Sequence, residues 1–285
     1  MIQNFINGLI QYEFLQNALM TSIIVGVVSG VIGSFIILRG MSLMGDAISH
    51  AVLPGVAVSY IVGANFMIGA SIFGVAAAGL IGFVTQKSKL KSDTAIGIVF
   101  SSFFALGIIL ISFAQSSTDL YHILFGNVLA VRPSDLYTTL GVAVAVILFV
   151  ALFYKELLVS SFDPVMAKAY GLKVQVIHYA LMFFLTLVAV SSLQTVGTVL
   201  VVAMLVTPAA TAYLLTDRLS VMIFLSSLIG GISAVVGLFF SYSYNLASGA
   251  TIVLTTAVFF IIAFIFSPKQ GFIFKKKEVV IIEEV

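Results

Sequence analysis

Long apolar runs, separated by short polar interruptions, fill the chain from residue 17 to residue 267. A helix needs about 20 mostly apolar residues to cross a bilayer. Runs of that length fall at 17–38, 41–62, 66–85, 94–114, 135–154, 174–194, 197–216, 219–242 and 249–267. The pattern predicts an all-α fold, a polytopic transmembrane helical bundle of about nine spans. Eight is the alternative if 17–38 and 41–62 are not both full crossings. The expected layout is an N-terminal segment over 1–16, one membrane domain over 17–268 and a basic/acidic tail over 269–285. In the first segment Phe5, Ile6, Leu9 and Ile10 share a helical face, as in a helix lying at the membrane surface. No Lys or Arg precedes Phe14, so the basic n-region of a cleaved signal peptide is missing.

Composition supports this reading and adds direction. Hydrophobic residues make up 61% and charged residues 8%, where a soluble domain carries about 25% charge. With 285 residues there is no room beside the spans for a soluble enzyme domain. Basic residues collect on the cytoplasmic side of membrane proteins. They cluster at Lys87, Lys89 and Lys91, then Lys155, Lys168 and Lys173, then Arg218, and finally Lys269 and Lys275–Lys277. Two spans separate each cluster from the next, so all can face the cytoplasm together. That parity puts Arg39 inside, the N-terminus outside and the C-terminus in the cytoplasm.

The candidate chemistry lies in Arg39-Gly-Met-Ser-Leu-Met-Gly-Asp46-Ala-Ile-Ser-His50-Ala-Val-Leu-Pro54-Gly55. Asp46 and His50 sit four residues apart, on one helical face. A carboxylate at bilayer depth costs roughly 2.5–3.5 kcal/mol even on the lenient insertion scale, so it pairs, faces a cavity or holds a cation. Carboxylate and imidazole together suit divalent first-row metals. The alternative is a hydrogen-bonded pair that only fixes a helix interface. Pro54 has no N–H to give to the His50 carbonyl. Ser42 and Ser49 are placed to line the same groove, and Met41 and Met44 are more simply packing residues. The chain has no Cys, which excludes thiolate sites and disulfides and leaves three His as nitrogen ligands.

Asp119 and His122, three residues apart and on the outer side by the parity above, form a second pair. They read equally as cation-collecting groups or as a helix cap and a solvated imidazole. His178 begins a span with no carboxylate near it and reads as structural. In the loop that follows the fifth span, Asp163 and Pro164 have the form of an N-cap and first helical residue, and Gly171 that of a stop. A short helix over 163–172 is expected, either a docking element for a partner or a plain connector. Ser22, Gly26, Gly30 and Ser34 form a ridge of small residues, as in a packed helix pair or a dimer seam; Gly230, Ala234 and Gly237 repeat it more weakly. Pro208, with Thr207 and Thr211, marks a hinge or a tolerated kink.

No phosphate-binding GxxxxGK[ST] loop occurs, nor a GxSxG or HExxH motif. The chain is expected to be neither an enzyme nor an ATP-binding subunit of that type, and to bind no nucleic acid and no permanent cofactor.

The Arg39–Gly55 stretch resembles the signature of the permease subunit of bacterial ABC importers for manganese, zinc or iron, the ABC-3 family. Ser92–Ile98, Ser116–Gly126, Asp163–Gly171, Gly197–Leu200 and Thr207–Ala210 are similar to further stretches of it. The likeness is nearest to the manganese permeases of Gram-positive bacteria. The resemblance implies a type II importer-like fold in the bacterial plasma membrane and a homodimer. It also implies a cytoplasmic ABC ATPase and an extracytoplasmic metal-binding lipoprotein as partners. Asp46 and His50 would be the intramembrane metal ligands, with Asp119 and His122 nearer the outside. Asp163, Pro164, Ala167 and Gly171 would belong to the coupling helix that docks on the ATPase. The transported ion would be the only metal. Glu278–Val285 fits no family pattern. Residues alone leave open an ion-coupled secondary carrier, a permease for a metal chelate, or a scaffold.

Overall fold

The computed structural model describes residues 2–114 and 128–267, and every regular element among them is helical. Besides a 3-10 turn at Val128–Ala130, these are in chain order α1 (Ile2–Gln11), α2 (Glu13–Leu38), α3 (Met44–Ala51), α4 (Leu53–Val62), α5 (Phe66–Lys87) and α6 (Ser92–Ala114). Then come α7 (Pro133–Leu152), α8 (Tyr154–Phe162), α9 (Pro164–Ala169), α10 (Val174–Val196), α11 (Thr198–Leu215), α12 (Leu219–Tyr244) and α13 (Ser248–Phe266). Counting α3 and α4 as one broken crossing, nine spans among the described residues are long and apolar enough to cross a membrane. Both 17–38 and 41–62 therefore stand as candidate spans, which makes nine rather than eight among the described residues. Asp119, His122 and the 269–285 tail lie outside the described residues.

α2 is the central post. Its 26 residues reach about 39 Å at 1.5 Å per residue, and it packs against α12 most extensively, then α11 and α7. The small-residue ridge explains the closest of these contacts. A Cβ added to Gly26 would stand 2.6 Å from the Gly230 carbonyl oxygen, and one on Gly30 would stand 2.7 Å from Ser226. Only glycine lets the two backbones meet there. Ser226 Oγ then donates to the Gly30 carbonyl at 3.0 Å, and Ser227 Oγ to that of Val27 at 3.3 Å. The ridge thus forms a helix pair inside one chain, with Gly230 as its partner, which decides between the two readings of the pattern.

Three local results refine the sequence reading. α1 is helical, but Phe5 turns inward, edge-on to Phe239 at 5.4 Å, while Ile6 and Ile10 stay exposed. The apolar face is thus divided between the bundle and its surroundings. α8 was not foreseen, because Lys155 and Glu156 make the stretch after the fifth span look like a polar loop. α11 runs unbroken through the buried Pro208, and Thr211 Oγ1 donates to the Thr207 carbonyl at 2.7 Å.

The polar connections meet at one end of the bundle. A cavity of about 460 Å³ is lined by Arg39, Gln86, Ser92, Pro164, Lys168 and Gln175, among others. A neighbouring one of about 300 Å³ joins Leu38 and Ser161 to Asp217 and Leu219. Arg39 and the loops carrying Lys87–Lys91, Lys168–Lys173 and Arg218 therefore share a side, as the charge parity requires.

Candidate metal-transport site

α3 begins after a sharp reversal. Gly40, at φ +64°, ends α2: its N–H donates to the Ile37 carbonyl and that of Met41 to the Ile36 carbonyl. This paired pattern is how a left-handed glycine closes a helix. The next helix places Asp46 and His50 one turn apart, with Asp46 Oδ1 3.5 Å from His50 Nε2. The helix breaks at Val52 between α3 and α4, where Pro54 enters the first turn of the new helix. Proline is tolerated in that first turn, since its missing N–H has no intrahelical role there. Ser49 is fully buried and donates to the Gly45 carbonyl, so it does not line the groove. Met44 is buried at 1% exposure, which is packing.

Two faces of the pair differ. On one, the His50 imidazole is held edge-on by Phe100 and Phe104 of α6, each with ring centroids 5.5 Å away. On the other, Asp46 and His50 open onto a cavity of about 480 Å³ whose remaining walls are Thr198, Val199, Val202 and Ala203 of α11 and Val253 of α13. His50 Nδ1 is buried and has no hydrogen-bond partner among the described residues. The Asp46 side chain is 46% exposed from this single chain. No cluster of three or more His, Cys, Asp or Glu exists among the described residues. One carboxylate and one imidazole, set in apolar walls, offer a divalent ion two protein ligands and room for water or a further group.

The coupling-helix expectation falls on α9. Asp163 Oδ1 accepts from the N–H groups of Val165 at 3.0 Å and Met166 at 2.8 Å, and Pro164 occupies the first helical position. Gly171, at φ +80°, closes the helix: Leu172 N–H donates to Ala167 and Gly171 N–H to Lys168. The helix itself is shorter than 163–172, because those end residues act as caps. Ala167 is buried against the bundle, whereas Val165 (79%) and Tyr170 (70%) are largely exposed. A short capped helix therefore presents apolar side chains outward at the polar end of the bundle.

His178 is structural in kind: its Nδ1 lies 3.4 Å from Arg39 Nη1. Arg39 also donates from Nε to Ser161 Oγ at 3.0 Å and from Nη2 to Ser160 Oγ at 2.9 Å. Burial lowers its guanidinium to about 10, which leaves it a cation at neutral pH. Sequence reasoning used Arg39 as a topology marker and as the start of the signature stretch, gave its side chain no partner, and missed Phe100 and Phe104. Their i, i+4 spacing on α6 was the available signal, but a Phe-rich span offers many such pairs.

A multi-pass helical bundle with an ionisable pair inside a span and an exposed capped helix at one end defines a membrane transport protein. The chain belongs to the ABC 3 transport family, which matches over residues 11–267. It is 72% identical over 277 residues to the manganese transport system membrane protein MntC of Listeria monocytogenes, covering 97% of this chain and 99% of that one. It is 59% identical to the manganese import system permease protein ScaB of Streptococcus gordonii, covering 97% and 99% respectively. The solved structure of PsaBC from Streptococcus pneumoniae in complex with Fab superposes with a TM-score of 0.86 at 60% identity, covering 95% of this chain and 98% of that one. The chain is accordingly a transport subunit and not an enzyme.

Proposed function

We propose that this chain is the membrane-spanning permease of an ATP-binding-cassette importer that moves manganese into the cell by alternating access. The observation that carries the reading is the Asp46–His50 pair, 3.5 Å apart on one face of α3 and opening onto a cavity walled by α11 and α13. Manganese is favoured among divalent ions because the relatives described above are named for its transport. Affinity order alone would favour zinc. A transport site must bind well enough to load and weakly enough to release, and two ligands in an apolar wall fit that requirement.

A half-exposed carboxylate inside a span is costly against lipid. A second copy of the chain covering Asp46 removes that cost and brings a second carboxylate–imidazole pair, so the permease works as a homodimer. An extracytoplasmic metal-binding lipoprotein delivers the ion on the outer side, where Asp119 and His122 collect it. Cytoplasmic ATPase subunits dock on α9 and drive the inward opening. The C-terminus is cytoplasmic.

The test is manganese accumulation by cells carrying Asp46→Ala. Loss of uptake with the complex still assembled supports the assignment, and unchanged uptake by an assembled variant removes it. Uptake into vesicles that persists without the ATPase would favour an ion-coupled carrier, and uptake only of a chelated metal a chelate permease.

A further inference from the structure

Arg39 links three helical elements at the polar end of the bundle. Along the chain it ends α2 and leads, through the turn Gly40–Leu43, into α3, which carries Asp46 and His50. Through its side chain it holds Ser160 and Ser161, in the last turn of α8, immediately before the Asp163 cap of α9. Its remaining amino group faces His178 on α10. Ser160 Oγ in turn donates to the Leu157 carbonyl, which fixes the hydroxyl against the α8 backbone.

Packing makes only an indirect connection: α9 rests on α8 and α10, and α10 in turn packs on α3. Between α9 and the start of α3 lies the cavity of about 460 Å³, with Pro164 and Lys168 on one wall and Met41 and Met44 on another. On the side of this gap the direct polar link is the Arg39 fork, a planar group with several donors in fixed geometry. Its partners are hydroxyls and an imidazole, which it can grip and exchange during a movement more readily than a buried carboxylate.

We propose that Arg39 is the positioning residue that transmits motion of the ATPase-docking helix to the metal-bearing helix, with Ser160 and Ser161 as its grip. The proposal rests on the reading of α9 as that docking helix. Arg39 touches neither the ion nor the nucleotide, so its removal should uncouple the two events and leave each intact.

The experiment uses the whole permease–ATPase complex in proteoliposomes with manganese as the only metal. It measures ATP hydrolysed per manganese ion transported, and manganese affinity without nucleotide. Arg39→Ala and the double variant Ser160→Ala/Ser161→Ala should keep affinity and hydrolysis within about twofold. They should raise the ATP cost per ion at least about fivefold, the low end of ordinary intersite coupling, and Arg39→Lys should recover part of the loss. An unchanged ratio in an assembled variant overturns the proposal. So does a proportional fall in transport, hydrolysis and affinity, which marks a merely structural role. Val165→Asp, on the outward face of α9, checks the underlying reading separately: loss of the ATPase from an otherwise stable permease supports it, and retention of the ATPase overturns it and the proposal with it.

Discussion

His50 stands edge-on to Phe100, with ring centroids 5.5 Å apart and planes at 66°. The imidazole of His50, the proposed metal ligand, thus rests on an aromatic wall on α6, 50 residues away along the chain. Such aromatic contacts are worth about 0.5–1.5 kcal/mol. Phe100→Ala should therefore weaken nucleotide-free manganese binding by roughly two- to tenfold. Equilibrium binding to the purified complex checks this, and a change below twofold would mean the ring orientation is fixed elsewhere.

His50→Ala removes one proposed ligand, Asp46→Asn removes the negative charge of the other, and both keep the side-chain volume equal or smaller. Either should reduce manganese accumulation to background with the permease at normal abundance in the membrane. Cellular manganese content and immunodetection of the subunit together decide the point.

The α2–α12 contact predicts a stability effect remote from the transport site. Gly26→Val forces a branched side chain against the Gly230 backbone and should destabilise the protein by about 1–3 kcal/mol or more. Ser226→Ala removes only the bond to the Gly30 carbonyl and should cost about 1 kcal/mol. Thermal unfolding in detergent should rank the two in that order.

α9 is held by its ends. Asp163→Ala removes the cap of two N–H groups, a loss of about 1 kcal/mol for a typical N-cap. Gly171→Val places a β-branched residue at φ +80° and should cost at least as much. Both should lower the amount of ATPase that copurifies with the permease and leave manganese affinity unchanged. Full ATPase recovery with either variant would show that a frayed α9 still docks.

Much of this was readable along the chain because it is local. Asp46 and His50 share a face by spacing alone, and Asp163, Pro164 and Gly171 mark both ends of α9 through backbone groups within a few residues. Gly40 and Arg39 were visible too, but only as a loop and a charge. The Arg39 contact with Ser160 and Ser161 spans more than 120 residues, and no local rule proposes it. Asp119 and His122 lie outside the described residues, so their role stays a proposal resting on family resemblance.

Spacing and charge along the chain were enough to locate the spans, the common side of the basic loops and the turn-by-turn placement of the two candidate ligands. Apolar length, charge parity and helix periodicity are properties of neighbouring residues. The tertiary structure decided which faces meet: Gly26 with Gly230, His50 with Phe100 and Phe104, Asp46 with the walls of α11 and α13. A membrane span is apolar on every side, since lipid and protein interior ask for the same side chains. No stripe of polarity along it says which face turns inward, and only packing settles that.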